Sequence, residues 1–133
     1  MKIQEYHNFE EKEIRNLYVS VGWKNYTDRP NMLLMAYKNS LCILGAYEED
    51  KLIGIIRVVG DSASIVFIQD ILVLPKYQHQ GIGTALVKEI MNRYRSVYQI
   101  QLMTDNTKKT IAFYKSLGFF TADDVACCAF LKM

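Results

Sequence analysis

The chain has 133 residues, half of them hydrophobic and 23% charged, with a formal net charge of +2. That size predicts a single domain, residues 1–133, with enough apolar mass for a real core. The basic residues are scattered, with Lys108-Lys109 the one doublet, which speaks against a nucleic-acid partner. No apolar run approaches the ~20 residues of a membrane span. The N-terminal MKIQEYHNFEEKE lacks the apolar centre of a signal peptide. A soluble cytoplasmic protein with no membrane partner is therefore expected. Cys42, Cys127 and Cys128 make an odd count without metal-ligand spacing. They read as buried, reduced strand residues, and no metal is expected.

Lys2 to Tyr6 reads as a short strand, and Asn8 as the N-cap of a helix whose first turn holds Glu10, Glu11 and Glu13. Ile14, Leu17, Tyr18 and Val21 recur at helical spacing, and Gly22 stops the helix. A loop rich in aromatic and polar residues follows, with Trp23, Asn25, Tyr26 and Asp28. Pro30 starts a second helix, closed by Asn39-Ser40. Leu41–Tyr47, Leu52–Val59 and Ser64–Leu74 read as three strands joined by short turns, hence as antiparallel neighbours.

In the stretch 69–94 an apolar strand, Ile71-Leu72-Val73-Leu74, is stopped by Pro75. A polar turn leads to Gly81-Ile82-Gly83, and a helix runs on from Thr84 with Leu86, Val87, Ile90, Met91 and Tyr94 as its apolar face. The first turn of a helix has N–H groups without partners and a positive end of the helix dipole. Glycine lets a phosphate approach the backbone. Gln80 to Ala85 are therefore predicted to hold a phosphate or pyrophosphate.

Tyr98–Met103 alternates as a strand. With the preceding strand and helix it forms a parallel pair joined by a right-handed crossover. Thr104 to Thr107 reads as a turn and helix cap, Thr110–Leu117 as a helix ended by Gly118, and Phe119-Phe120 and Val125–Leu131 as the last strands. The fold class is α/β or α+β, a mixed and mostly antiparallel sheet of about six to seven strands with about four helices.

Two motifs in series resemble the GCN5-related N-acetyltransferase superfamily. The family's phosphate motif stands here as Gln78-His79-Gln80-Gly81-Ile82-Gly83, and its aromatic helix as Phe113-Tyr114-Lys115-Ser116-Leu117-Gly118-Phe119. The order of elements matches over nearly the whole chain. The resemblance implies a V-shaped splay between the fourth and fifth strands, into which acetyl-CoA wedges as cosubstrate. Its pantetheine would bond to backbone groups of Ile71, Leu72 and Val73. Its pyrophosphate would sit on amides from His79 through Gln80, Gly81, Ile82, Gly83 and Thr84 to about Ala85. An amine would attack the thioester directly, with an amide near Leu72 polarising the carbonyl.

Tyr114 is similar to the family's general acid, which protonates the departing thiolate. The plainer reading is a core aromatic with a bonded hydroxyl. The family often has a cofactor-contacting Asn seven residues before the tyrosine. That position is Thr107 here, with Asn106 beside it, so both are candidates. The glutamate that acts as base in some members is replaced by Leu102. Asp70, an acid in an apolar strand beside the thioester site, is the local candidate base; a bond to Arg57 is its structural alternative. The family's acceptor side covers the region holding Trp23, Tyr26 and Asp28, which suits a flat or apolar amine drawn by a carboxylate. The expected activity is acetyl transfer to the primary amine of a small molecule. The alternatives are a protein or peptide N-acetyltransferase and a non-catalytic acyl-CoA sensor. The resemblance allows a homodimer, since the family often pairs through edge strands or C-terminal elements, and the residues leave the oligomeric state open.

Overall fold

The computed structural model describes all 133 residues. They divide into two compact units, Met1–Leu102 and Met103–Met133. The first unit carries a five-stranded sheet in the order β1-β2-β3-β4-β5. These strands are β1 (Lys2–Glu5), β2 (Cys42–Glu48), β3 (Lys51–Gly60), β4 (Ile65–Val73) and β5 (Gln99–Leu102). The first three pairings are antiparallel, and β4 and β5 run parallel. The sheet is thus mixed and mostly antiparallel, as expected.

Four helices belong to this unit: α1 (Glu11–Ser20), α2 (Lys24–Thr27), α3 (Pro30–Lys38) and α4 (Ile82–Arg93). Residues Leu52 to Val58 of β3 are all buried, the mark of a strand covered on both faces. Two contacts explain the covering. Asp70 of β4 bonds to Tyr18 of α1, while the next residue, Ile71, lies 4.0 Å from where a Cβ on Gly83 of α4 would be. Neighbouring strand residues point to opposite faces, so α1 and α4 sandwich the sheet. Ile14, Leu17, Leu86, Val87 and Ile90 are at most 1% exposed, each contributing about 1.5–3 kcal/mol through burial.

Local chemistry sets the ends of these elements. Gly22, at φ 78°, closes α1, with Trp23 N–H returning to the Tyr18 carbonyl. Asn8 does not cap that helix. Its N-cap is Glu10, and the Tyr6 hydroxyl accepts the Glu10 N–H at 3.0 Å and donates to Glu13 at 3.1 Å. The turn before β4 is held by Asp61, whose carboxylate accepts from the Ala63, Ser64 and Ile65 amides.

The second unit holds α5 (Lys108–Ser116) and a 3-10 turn, Ala122–Val125. The two strands expected at Phe119-Phe120 and Val125–Leu131 are not formed, so the sheet has five strands rather than six or seven. Thr121 and Asp124 close a capping box that winds the chain into the 3-10 turn, and Ala126 leaves it in a left-handed conformation at φ 59°. Cys127 and Cys128 consequently lie exposed outside any strand, against expectation, whereas Cys42 is buried in β2.

Candidate active site

The site begins where β4 and β5 part. Their parallel register runs from Ile65↔Gln99 to Ile68↔Leu102 and stops there, while β4 continues to Val73. Gln69 to Val73 therefore have no strand on their β5 side, which is the splay expected between the fourth and fifth strands. The Leu72 carbonyl lies 3.1 Å from the Cβ position of Gly54, and the Leu74 N–H donates to Ile53. Both thus face β3. Strand alternation turns the N–H and C=O of Ile71 and Val73 to the open side. Of the three positions expected to bind pantetheine, Ile71 and Val73 present backbone groups to the opening, and Leu72 spends its own on β3. The Gln78 side chain donates to the Val73 carbonyl at 3.0 Å, which ties the turn after Pro75 to the end of the strand.

That turn delivers the chain to α4. His79 and Gly81 both have positive φ, 63° and 82°, and Gly81 is the N-cap, with no side chain bonded into the first turn. The first intrahelical bond runs from Ala85 N–H to the Gly81 carbonyl at 3.0 Å. The unengaged amides of the first turn are thus those of Ile82, Gly83 and Thr84, and Ala85, expected among the donors, is already bonded. A Cβ built on Gly81 meets nothing within 4 Å. Open space before three unpartnered N–H groups and a helix dipole is a place for an anion. His79 and Gln80 are exposed beside it, with the Gln80 amide reaching the Lys76 carbonyl at 3.4 Å.

On the α1 face lies a buried polar network. Asp70 and Arg57 are 2% and 4% exposed. Asp70 Oδ2 accepts from Arg57 Nε and from the Tyr18 hydroxyl, each at 2.7 Å. The Tyr18 and Tyr37 hydroxyls meet at 3.0 Å, and Arg57 also donates to Ser40 at 3.3 Å. Asp70 Oδ1 is buried with no partner. Burial, and after it the neighbouring Tyr37 and Asp70, push the Tyr18 phenol far above its ordinary pKa. Burial opposes the Arg57 charge, but Asp70 outweighs it and raises the guanidinium pKa. The pairing with Arg57 is the structural alternative anticipated for Asp70.

The aromatic residues of the α1–α2 region gather beside this network. Tyr18 and Tyr26 rings lie 5.1 Å apart, and Trp23 stacks on Tyr26 at 6.1 Å. Gln69 of β4 donates to the Tyr26 hydroxyl at 3.3 Å. Trp23 and Tyr26 are thereby brought to the strand that flanks the opening. Asp28 is exposed, and its carboxylate has no hydrogen-bond or ion-pair partner. Tyr18 was the residue the sequence hid. Its place in the apolar repeat of α1 masked the hydroxyl, and only the buried Arg57–Asp70 pair across one hairpin hinted that a polar partner was needed.

In the second unit, Thr107 caps α5. Its hydroxyl accepts the Thr110 N–H at 3.2 Å and donates to the Thr110 hydroxyl at 3.0 Å. Asn106 is exposed with its side chain unengaged. Tyr114 is half-buried between Phe113 and Phe119, with ring centroids at 4.9 and 5.9 Å. Burial raises its phenol pKa above the ordinary value.

Residues 6–119 match the model of the acetyltransferase (GNAT) family. The chain is 32% identical over 121 residues to a Glycine max protein named histone acetyltransferase TAP1, covering 80% of this chain and 50% of that one. It is 34% identical over 119 residues to an uncharacterized N-acetyltransferase, ycf52, of Gracilaria tenuistipitata var. liui, covering 84% and 63%. The chain thus spans half to under two thirds of the length of these relatives. A solved GNAT-family acetyltransferase from Streptococcus pneumoniae TIGR4 superposes with a TM-score of 0.90 at 39% identity, over 99% of this chain and 96% of that one. With the parted strands and the glycine-led helix already described, this match over most of the sequence places the chain in the acetyltransferase (GNAT) family.

Proposed function

We propose that the protein is an acetyl-CoA-dependent N-acetyltransferase acting on the primary amine of a small molecule. The observation that carries this reading is the parting of β4 from β5 after Ile68, directly before an uncapped helix start. The two features suit two parts of one ligand. Ile71 and Val73 offer backbone groups in a row to an amide-bearing arm. Ile82, Gly83 and Thr84 offer N–H groups to its pyrophosphate.

Acetyl-CoA, when bound, supplies the activated acetyl group as a thioester. A β4 amide at the opening polarises the thioester carbonyl and stabilises the negative charge that grows on its oxygen. The acceptor nitrogen, with its proton already lost, forms the new C–N bond as the C–S bond breaks. Tyr114 then gives its phenolic proton to the departing thiolate and recovers one, through water, from the acylated nitrogen, which must shed its second proton to become the amide. Its raised pKa keeps that proton in place at neutral pH. Asn106 keeps its side-chain amide available for a cofactor contact, whereas the Thr107 hydroxyl is spent on α5.

Trp23 and Tyr26 form a flat apolar wall for the acceptor, and Asp28 attracts its positive charge. Two roles stand for Asp70, base and anchor. The engagement of its Oδ2 by Arg57 and Tyr18 favours the anchor, which fixes β4 against α1 beside the acceptor wall. A second reading, transfer to a protein amine, is favoured by the name of the Glycine max relative, a histone acetyltransferase.

The deciding experiment measures CoA release from acetyl-CoA over a panel of amines that includes polyamines, aromatic amines and lysine-bearing peptides. Turnover with small amines is expected. Turnover confined to peptides would shift the reading to the second one. A protein whose melting temperature does not move at acetyl-CoA concentrations far above micromolar would end both.

A further inference from the structure

We propose that the first unit carries a second small-molecule site, apart from the opening between β4 and β5, that takes a flat aromatic carboxylate. The site is a cavity of about 200 Å³ between the end of β1, the approach to α1 and the last turn of α3. All of its lining belongs to Met1–Leu102. Neither the parted strands nor the glycine-led helix start contributes to it, so it stands independently of the acetyl-transfer reading.

The lining sets the body of the ligand. Tyr6, Tyr37 and Ile43 are 8%, 5% and 9% exposed and make the floor. Phe9 is half-buried and Leu34 is 45% exposed, and these two make the walls. The Phe9 and Tyr6 rings lie 5.2 and 6.3 Å from the ring of Tyr37, so three rings border one space. The cavity is smaller than the roughly 300–1,000 Å³ of a drug-sized site. It suits a single ring with a short polar arm, which would cover the apolar surface of Phe9 and Leu34 that water now touches.

Elimination sets the polar group. The Tyr6 hydroxyl is used twice, accepting the Glu10 N–H and donating to Glu13. Tyr18 gives its one phenolic proton to Asp70, so the Tyr37 hydroxyl donates to Tyr18. Neither floor phenol has a proton left for a ligand. The last carbonyls of α3 are occupied as well: Met35 accepts the Asn39 N–H, Ala36 the Ser40 hydroxyl and Tyr37 the Ser40 N–H. What remains lies at the mouth. Lys38 takes part in none of the ion pairs of the chain. His7 lies against Glu5 through Nε2, and Glu5 also holds Arg93, so no carboxylate is spare for Lys38 there. One unpaired ammonium above an aromatic floor matches one carboxylate on an aromatic body, and a dianion would leave a charge uncompensated.

Tyr37 gives the site a connection to the rest of the unit. Its ring borders the cavity, and its hydroxyl reaches Tyr18, whose ring lies 6.1 Å from Trp23, the one tryptophan of the chain. A ligand resting on Tyr37 is therefore expected to alter Trp23 emission.

The test uses the full chain, labelled with nitrogen-15 and titrated with phenylacetate, with phenylacetamide as the uncharged counterpart. Phenylacetate is expected to shift the amide signals of Phe9, Leu34, Tyr37 and Lys38 with a dissociation constant on the order of 1 mM. Phenylacetamide should bind about 5-fold more weakly. Lys38→Met should bring phenylacetate down to that weaker level. Leu34→Glu should abolish binding, because the new carboxylate stands four residues before Lys38 on the same helix face and pairs with it. Both positions are exposed, so both variants should keep the wild-type circular-dichroism spectrum. No shift at these amides at about 20 mM phenylacetate overturns the site, as do shifts centred on Trp23 and Tyr26, which would place the probe on the acceptor wall. Equal affinity for the amide, or folded variants that bind as wild type does, overturns the assigned ligand chemistry. Unchanged Trp23 emission in the saturated protein overturns the connection through Tyr37. None of these readings requires acetyl-CoA, so failure here and failure of the proposed activity are distinguishable.

Discussion

The Tyr18 hydroxyl donates a 2.7 Å hydrogen bond to Asp70, joining α1 to β4 across fifty-two positions of sequence. The same carboxylate oxygen holds Arg57. An ion pair so deeply buried is stable as a pair, and removing one member strands a charge. Arg57→Ala or Asp70→Ala is expected to lower stability by about 3–5 kcal/mol, whereas Arg57→Met combined with Asp70→Leu should recover most of the loss. Urea denaturation of the three proteins measures this. A double variant that loses the sum of the two single losses would show that the pair has no special coupling. Asp70→Asn should keep kcat within a few-fold of wild type, and a loss of about 100-fold or more in a folded variant would mark Asp70 as the base.

The phosphate turn offers a cleaner separation of folding from binding. Gly83 lies in the first turn of α4, and a Cβ there meets only the end of Ile71 at 4.0 Å. Gly83→Glu therefore fits sterically and should add about 0.5–1 kcal/mol of helix preference, while its charge opposes the pyrophosphate. The expected protein is folded and at least as heat-stable as wild type, but its melting temperature no longer rises with acetyl-CoA. An undiminished rise would remove the anion site from the start of α4. Gly81→Asp should lose binding too, with a further cost of about 1–2 kcal/mol for a left-handed non-glycine residue.

Tyr114 has a phenol whose pKa burial raises above the ordinary 10.0. An acid with a raised pKa stays protonated over a wider range, so any alkaline fall in turnover that this phenol causes should lie above the pH at which an ordinary tyrosine ionises. Tyr114→Phe should reduce kcat by about 100-fold or more and leave acetyl-CoA affinity unchanged. Steady-state kinetics with calorimetry tests both statements. Wild-type kcat in the phenylalanine variant would leave the ring a packing role alone.

Asp61 gives the pH dependence of stability a definite sign. The Ser64 hydroxyl, followed by the amides of Ala63, Ile65 and Ser64, holds its pKa well below the ordinary 3.8. A depressed carboxylate stabilises the fold above its unfolded value and loses that contribution as pH falls toward the folded one. Asp61→Asn should therefore lower the melting temperature by a constant amount at neutral pH, and the gap to wild type should narrow below about pH 4. A gap independent of pH down to acid unfolding would assign the effect to loop geometry alone.

What could be read from the residues was mostly what local chemistry decides. Pro75, the two glycines and the apolar repeat of α4 act within a few residues of themselves, so strand, turn and helix fell where expected. The four-residue α2 was missed because so short a segment carries no period. Asn8 looked like a cap because capping is a local preference; the tyrosine that satisfies Glu10 stands on the other side of it, at position 6. The final strands were expected because Val125–Leu131 has strand composition. Composition describes what a segment can pair with, and pairing is a tertiary event; here the Thr121–Asp124 box and the left-handed Ala126 decide locally. The same limit hid Tyr18, whose hydroxyl matters only once β3 and β4 bring Arg57 and Asp70 to one point.

The alternation along the end of β4 gives the strand two unlike sides. Leu72 and Leu74 are locked to β3, while Ile71 and Val73 face the opening. In deuterated water the protection of this one strand should accordingly read slow and fast by turns, residue by residue, with no sheet partner to slow the odd-numbered amides. A bound pantetheine would act as a missing strand, and the comb-like trace would flatten to uniform protection.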